Sequence, residues 1–191
     1  MVGVRERKAR EKQDRERRIV DCARDIAEND GWPAVTTRRL ANEIEYSPPV
    51  LYSHFPDGRD GIVSAVALLG FRDFTHIMRQ VLDEAGDADL TKFISAYLDF
   101  ATENPATYEA MFSMQLGVRF AHESTPPELR DAFAVLVSAV GGEQTRNAET
   151  KAELFWSALH GISVLTHGQR LSPDNRRARV DRLAELFGSA K

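Results

Sequence analysis

Two short clusters in the first third of the chain carry side chains suited to holding a polyanion. Thr37-Arg38-Arg39 offers a hydroxyl and two guanidiniums, and Ser47-Pro48-Pro49-Val50 with Tyr52-Ser53-His54 follows after a brief interval. Hydroxyl, guanidinium and main-chain N–H groups at the start of a helix attract phosphate oxygens, and the helix dipole strengthens the attraction. A short helix whose outer face carries Ser47, Pro48, Pro49, Val50, Tyr52, Ser53 and His54 can lie against base edges in a groove of duplex DNA. Upstream, Arg5 to Arg18 holds eight basic residues (Arg5, Arg7, Lys8, Arg10, Lys12, Arg15, Arg17, Arg18) against four acidic ones (Glu6, Glu11, Asp14, Glu16). The whole chain carries 25 Lys+Arg against 29 Asp+Glu, a net charge of −4, which excludes coating of nucleic acid through bulk charge. The basic run is expected to add phosphate neutralisation locally.

Other chemistries find no support. His54, His76, His122, His160 and His167 form no HExxH pattern, His160 and His167 are too far apart for a usual helical ligand pair, and no glycine-rich phosphate loop or nucleophile elbow is present. Neither an enzyme, a metal nor a cofactor is expected. Cys22 is the single cysteine and the N-terminus lacks a signal-like apolar stretch, so a cytoplasmic address is expected. Leu154 to Gln169 runs 16 residues without charge, short of the ~20 that cross a bilayer, and reads as a buried helix with no membrane partner.

Apolar residues recur with helical period nearly throughout, which predicts an all-α fold of about nine helices. Ile19, Ala23, Ile26 and Ala27 mark the inner face of a first helix that Asn29-Asp30-Gly31 ends. Thr36 or Thr37 caps a second helix of about two turns, with Leu40, Ala41 and Ile44 inward. Ser47 caps a third, with Pro48 in its first turn, ending near Phe55. A long fourth helix follows Asp57 and ends near Gly86; five more are predicted over Leu90 to Asn104, Pro105 to about Leu116, Pro127 to Val140, Ala148 to Gln169 and Pro173 to Phe187. Loops are expected over Gly117 to Thr125 and Gly141 to Asn147. Two helices as short as the second and third cannot make a core of their own; braced by a longer helix, they form a helix-turn-helix.

Thr37-Arg38-Arg39-Leu40-Ala41 and Tyr46-Ser47-Pro48-Pro49-Val50-Leu51-Tyr52-Ser53-His54-Phe55-Pro56 resemble the DNA-binding domain of the tetracycline-repressor (TetR) family, whose recognition helix closes on a leucine-tyrosine-x-histidine-phenylalanine run. The resemblance implies that Tyr52, His54 and Arg59 contact phosphates, that Pro48, Pro49, Val50 and Ser53 face bases, and that Leu51 and Phe55 are core. Two departures stand out. Glu45 occupies a turn position where many members carry glycine, at a cost of ~1 kcal/mol if φ is positive, so a differently shaped turn is expected. Asp57-Gly58-Arg59-Asp60-Gly61 is about one residue longer than the commonest form.

Tyr97-Leu98-Asp99-Phe100-Ala101, Glu103-Asn104-Pro105-Ala106 and Trp156-Ser157-Ala158-Leu159-His160-Gly161 resemble a TetR subgroup whose C-terminal domain carries a tryptophan and a histidine-glycine pair. The two resemblances imply a helix-turn-helix domain over residues 1–60 and a helical ligand-binding and dimerisation domain over 61–191. The uncharged Leu154 to Gln169 run and a second apolar stripe of Val180, Leu183, Ala184 and Phe187 predict a two-fold homodimer through the last two helices, which would read a palindromic double-stranded operator. Phe93, Tyr97, Phe100, Tyr108, Met111, Phe112, Met114 and Trp156 are bulkier than a helix pair needs and can line an apolar pocket, with His160 as its polar handle. The expected function is a repressor released from its operator by a small, largely apolar effector. The alternative is a helical adaptor that has kept the architecture and lost DNA binding.

Overall fold

The computed structural model describes residues 2–85, 90–112, 125–142 and 146–188. Among these are nine α-helices, two single 3-10 turns and no strand, as the hydrophobic period predicts. The chain divides into two compact units.

The first unit runs to Gly70 and takes in the helix from Ala106 onward. Its long helix α1 (Val2–Asp30) takes in the whole basic run. Gly31, at φ 78°, ends α1 and leads into a 3-10 turn, Trp32–Ala34. Helices α2 (Thr37–Glu43) and α3 (Pro48–His54) pack on each other and on α1. Thr36 is the residue that caps α2: its hydroxyl oxygen accepts the Arg39 N–H at 3.1 Å. Ile19, Ala23, Ile26, Trp32, Leu40, Leu51, Ile62 and Val66 form the core, each large aliphatic group adding ~1.5–3 kcal/mol by leaving water.

Helix α4 (Arg59–Ala85) belongs to this unit as far as Gly70 and to the second from Phe71. By length and composition alone it could cross a membrane, but Ile62, Val66, Phe71, Phe74 and Met78 are buried inside the protein. Helix α6 (Pro105–Phe112) joins the first unit through α1. The Glu28 carboxylate accepts the N–H groups of Ala106 (3.0 Å) and Thr107 (2.9 Å) and the Thr107 hydroxyl (2.7 Å), satisfying first-turn donors that no helix satisfies internally. The Trp32 indole N–H donates to the Ala106 carbonyl at 2.9 Å.

In the second unit α5 (Leu90–Glu103) packs on α8 (Ala148–His167) and α9 (Arg176–Phe187), and α7 (Pro127–Ala139) packs on α8. The start expected at Pro173 is a 3-10 turn, Pro173–Asn175, after which α9 begins. Phe74 meets Tyr97 and Phe100 edge-on, and Phe155 stacks between Phe93 and Phe187, with centroids 5.1–6.0 Å apart, a separation typical of favourable ring pairs. Burial pushes the Glu128 carboxyl up, but hydrogen bonds and charge from Arg72, 2.7 Å away, outweigh it and hold the group below the usual carboxylate range. The expected ends at Gly86 and Leu116, most of the loop after Gly117, and Met114 lie outside the described residues.

Candidate nucleic-acid interface

Helix α3 presents one face to the core and another to solvent. Leu51 points inward and is buried, while Ser47, Pro48, Pro49 and Ser53 are exposed, Val50 is half-buried and Tyr52 is 50% exposed. The Ser53 hydroxyl donates to the Val50 carbonyl at 2.7 Å, leaving its lone pairs outward. Phe55 is half-buried instead of fully interior. The turn before α3 keeps the left-handed geometry despite lacking glycine: Glu45 has φ 57°, and the Tyr46 N–H reaches back to the Ala41 carbonyl at 2.8 Å. The different turn shape expected there is thus absent; burial of Ile44 beside it holds the strained residue in place.

Each remaining candidate has its place around this face. Thr37 is half-buried and Arg38 exposed at the start of α2. Arg39 is drawn back into a groove between α1 and α2, where its guanidinium meets Asp30 at 2.5 Å and Glu43 at 3.9 Å. In the same groove burial and the neighbouring Glu43 and Asp25 carboxylates push the Cys22 thiol up, with Arg39 opposing them. The His54 side chain is only 6% exposed and its Nδ1 lies 3.3 Å from a Glu16 carboxylate oxygen. Arg59 donates through Nε to the Val35 carbonyl (3.1 Å) and through Nη2 to the Trp32 carbonyl (3.0 Å), tying the start of α4 to the segment before α2.

Several residues that hold the face in position gave no local signal. Arg18 on α1 donates to the Tyr46 hydroxyl at 3.3 Å and lies 5.4 Å from the centre of its ring, a cation–π contact across 28 residues of sequence. Glu16 serves His54 from the same helix, so α1 braces α3 near both ends. Gly58, at φ 58°, lets the Tyr52 ring come close: a Cβ there would sit 3.3 Å from Tyr52 Cε1. Pairings this distant in sequence leave no period or cap to read.

Of the bulky residues assigned to an effector pocket, Phe93, Tyr97 and Phe100 on α5 are buried in the second unit, and Trp156 and His160 on α8 are half-buried there. Burial lowers the His160 pKa, which favours a neutral imidazole. Tyr108 and Met111 are buried and Phe112 half-buried on α6, in the first unit, where the Tyr108 and Phe112 rings are 4.7 Å apart. Among the described residues no group of three or more His, Cys, Asp or Glu side chains could hold a metal ion.

A short helix with a polar outer face, preceded by a capped two-turn helix and braced by a longer one, defines a helix-turn-helix DNA-binding protein. Residues 19–66 match the family of bacterial regulatory proteins of the tetR type, and residues 90–187 match the tetracyclin repressor-like C-terminal domain. The chain is 30% identical over 155 residues to the uncharacterized HTH-type transcriptional regulator YobS of Bacillus subtilis (strain 168), covering 77% of this chain and 76% of that protein. Its fold is similar to the structure of a protein with unknown function from Rhodococcus sp. RHA1 (TM-score 0.71, 22% identity, 91% of this chain and 95% of that one). It is also similar to a bacterial regulatory protein in the tetR family from Rhodococcus RHA1 (TM-score 0.61, 19% identity, 92% and 98%). The protein belongs to the TetR family of DNA-binding transcriptional regulators.

Proposed function

We propose that this chain is a cytoplasmic repressor that binds a palindromic duplex operator as a homodimer and leaves it when a small, largely apolar molecule binds. It performs no catalysis, and residues 1–60 carry the reading function while 61–191 carry sensing and pairing. The observation that carries the reading is the outer face of α3: Ser47, Pro48, Pro49, Tyr52 and Ser53 are exposed together on a helix whose opposite side is anchored by Leu51. Pro48, Pro49, Val50 and Ser53 are assigned to base edges, and Thr37, Arg38, Arg39, Tyr52, His54 and Arg59 to phosphates or to the posture of the groups that touch them.

Phe93, Tyr97, Phe100, Trp156 and His160, which the second unit holds, are assigned to the effector; Tyr108, Met111 and Phe112, also expected to line its pocket, belong to α6 of the first unit. The Phe74 ring on α4 rests against Tyr97 and Phe100, and the same helix begins at Arg59, hydrogen-bonded to Trp32 and Val35. A molecule that displaces those rings therefore biases an element that ends beside the reading helix.

The test is a duplex selected from a random library with the full-length protein, followed by salt titration. Affinity should fall with a slope of log K near −0.9 for each phosphate neutralised. Tyr52→Phe should weaken every sequence alike, whereas Val50→Ala or Ser53→Ala should change which bases are preferred. Selection that enriches no sequence, with binding indifferent to salt, would mean the chain is an adaptor and not a reader.

A further inference from the structure

Helix α1 contains a seam whose character changes abruptly. Positions 5, 8, 12, 15, 19, 22 and 26 follow one another at alternating steps of three and four, so they lie along one side of the helix, drifting only ~20° per heptad. In the second half of α1 this side is Ile19, Cys22 and Ile26; the two isoleucines are buried against the rest of the first unit, and Cys22 is half-buried. In the first half the same side is Arg5, Lys8, Lys12 and Arg15, all exposed. The eight basic residues of this stretch outnumber its four acids by four, and the seam holds four bases and no acid. Off the seam, Arg7, Arg10, Arg17 and Arg18 are matched in number by Glu6, Glu11, Asp14 and Glu16, with Arg7 and Glu11 3.6 Å apart and Arg17 3.9 Å from Asp21; on the seam Lys12 lies 3.6 Å from Glu16, a partly exposed pair that a phosphate can replace. The whole excess charge of the arm is thus sorted onto one face, which random solvation of a helix does not require.

That face has a direction. Residues at both ends of the reading segment touch α1 at one level, His54 at Glu16 and Tyr46 at Arg18, so α1 leaves the first unit beside α3. At ~100° per residue, Glu16 and Arg18 lie roughly 80° round the helix to either side of the seam, so the seam faces the reading segment that both of them touch. A duplex held on the outer face of α3 lies on that same side of α1. From Arg15 back to Arg5 the helix advances about 15 Å, close to half of the ~34 Å turn of a duplex.

We propose that the seam of Arg5, Lys8, Lys12 and Arg15 is a second DNA contact, a rigid clamp on the phosphates about five base pairs outside the bases that α3 reads. It carries no base preference, because four flexible cations at this spacing meet backbone and not base edges. The basic residues elsewhere on the arm contribute through bulk charge alone, with no preferred face. The clamp rests on the duplex-reading assignment above and extends the footprint outward from it.

The test uses the selected duplex in two lengths, trimmed to the enriched bases or extended by about eight base pairs of arbitrary sequence on each side. Arg5, Lys8, Lys12 and Arg15 are all changed to Gln, a good helix former, and arm helicity is checked by far-UV circular dichroism. On the extended duplex this variant should bind at least tenfold more weakly at 0.1 M salt, with the salt slope shallower by about 3 to 4 per protomer. On the trimmed duplex, wild type and variant should be equal. The charge-preserving exchange Arg5→Lys, Lys8→Arg, Lys12→Arg, Arg15→Lys should restore wild-type binding, and Arg7, Arg10 and Arg17 all changed to Gln should leave the length effect intact. Loss independent of flank length, or an equal loss from the off-seam variant, overturns the clamp while leaving the reading helix standing. Failure to enrich any duplex overturns the reading assignment itself.

Discussion

Arg38 and Arg39 are neighbours of the same type, yet their surroundings give them different work. Arg38 is exposed at the first turn of α2, where a helix N-terminus already favours anions. Arg39 is engaged by Asp30 and Glu43, so moving its guanidinium to a phosphate would break those contacts. Arg38→Gln is therefore expected to lower duplex affinity by roughly threefold to tenfold and leave urea unfolding unchanged, the ~0.6–1.4 kcal/mol of one ordinary net hydrogen bond made at an exposed site. Arg39→Gln is expected to act in the opposite sense, costing up to ~1 kcal/mol of stability through a partly exposed pair and little affinity measured at equal folded concentration. Fluorescence anisotropy and denaturant titration on the two purified variants separate the roles, and equal affinity losses would refute the distinction. Tyr52 shows the same dependence on surroundings: its phenol is outward because Gly58 leaves room beneath it. The sequence motif names Tyr52, but only the φ of 58° at Gly58 shows what aims it.

At the scale of elements, punctuation made most helices legible. Thr36 before α2, Pro48 in the first turn of α3, Pro105 and Pro127 at the starts of α6 and α7, and Gly31 after α1 each act through local backbone chemistry, which is why they can be read without a partner. Partnerships across the sequence were not legible. Nothing near Glu28 marks it as the acceptor for α6, since the N–H groups it serves are 78 and 79 residues away. For the same reason the assembly of α6 with the reading helices could not be foreseen from hydrophobic period, which reports that a face is buried and not against what. Gly70 sits at that junction, and a Cβ there would lie 2.5 Å from Thr107 Cγ2 and 2.8 Å from Met111 Sδ. Met111 is unbranched and can move aside; Thr107 is β-branched, with its hydroxyl held by Glu28. Gly70→Ala should gain ~1 kcal/mol of helix propensity and lose ~1–3 kcal/mol to overpacking, a net loss of about 1 kcal/mol. Adding Thr107→Ser removes the obstructing methyl and should recover part of it, so a double-mutant cycle in urea showing strict additivity would contradict the packing account.

The whole molecule must supply more discrimination than one reading helix holds. A helix as short as α3 reaches a few base pairs, each worth ~1–3 kcal/mol, whereas specific sites are favoured over other DNA by about 4–10 kcal/mol. A second copy related by a two-fold axis doubles the contacts and fixes half-site spacing at about one turn of the duplex or a multiple of it. The surface available for pairing differs from the stripe expected on the last helix. Val180 and Leu183 are buried within the second unit, so a charge at Leu183 would unfold the protomer and report nothing about pairing. Among the described residues of α8 and α9 the large apolar groups left outside are Leu154 (60% exposed), Val164, Leu165 and Leu186 (61% exposed), and a Cβ on Gly161 of the same α8 would meet no atom within 4 Å. Leu154, Ala158, Gly161 and Leu165 recur at helical spacing, and Leu186 of α9 adds a second helix, which suits a four-helix interface with two helices from each copy. Leu154→Glu with Leu165→Glu places four charges in that interface and withdraws ~1.5–3 kcal/mol of burial per leucine, enough to dissociate a dimer held at micromolar strength. Sedimentation velocity should show this variant as a folded monomer with unchanged helicity, and its affinity for the selected palindrome should fall at least a hundredfold, approaching that for a single half-site. A wild-type chain that remains monomeric at micromolar concentration, or a double variant that still sediments as a dimer, would remove α8 and α9 from the interface and require the second reading head to be brought to the DNA by another surface.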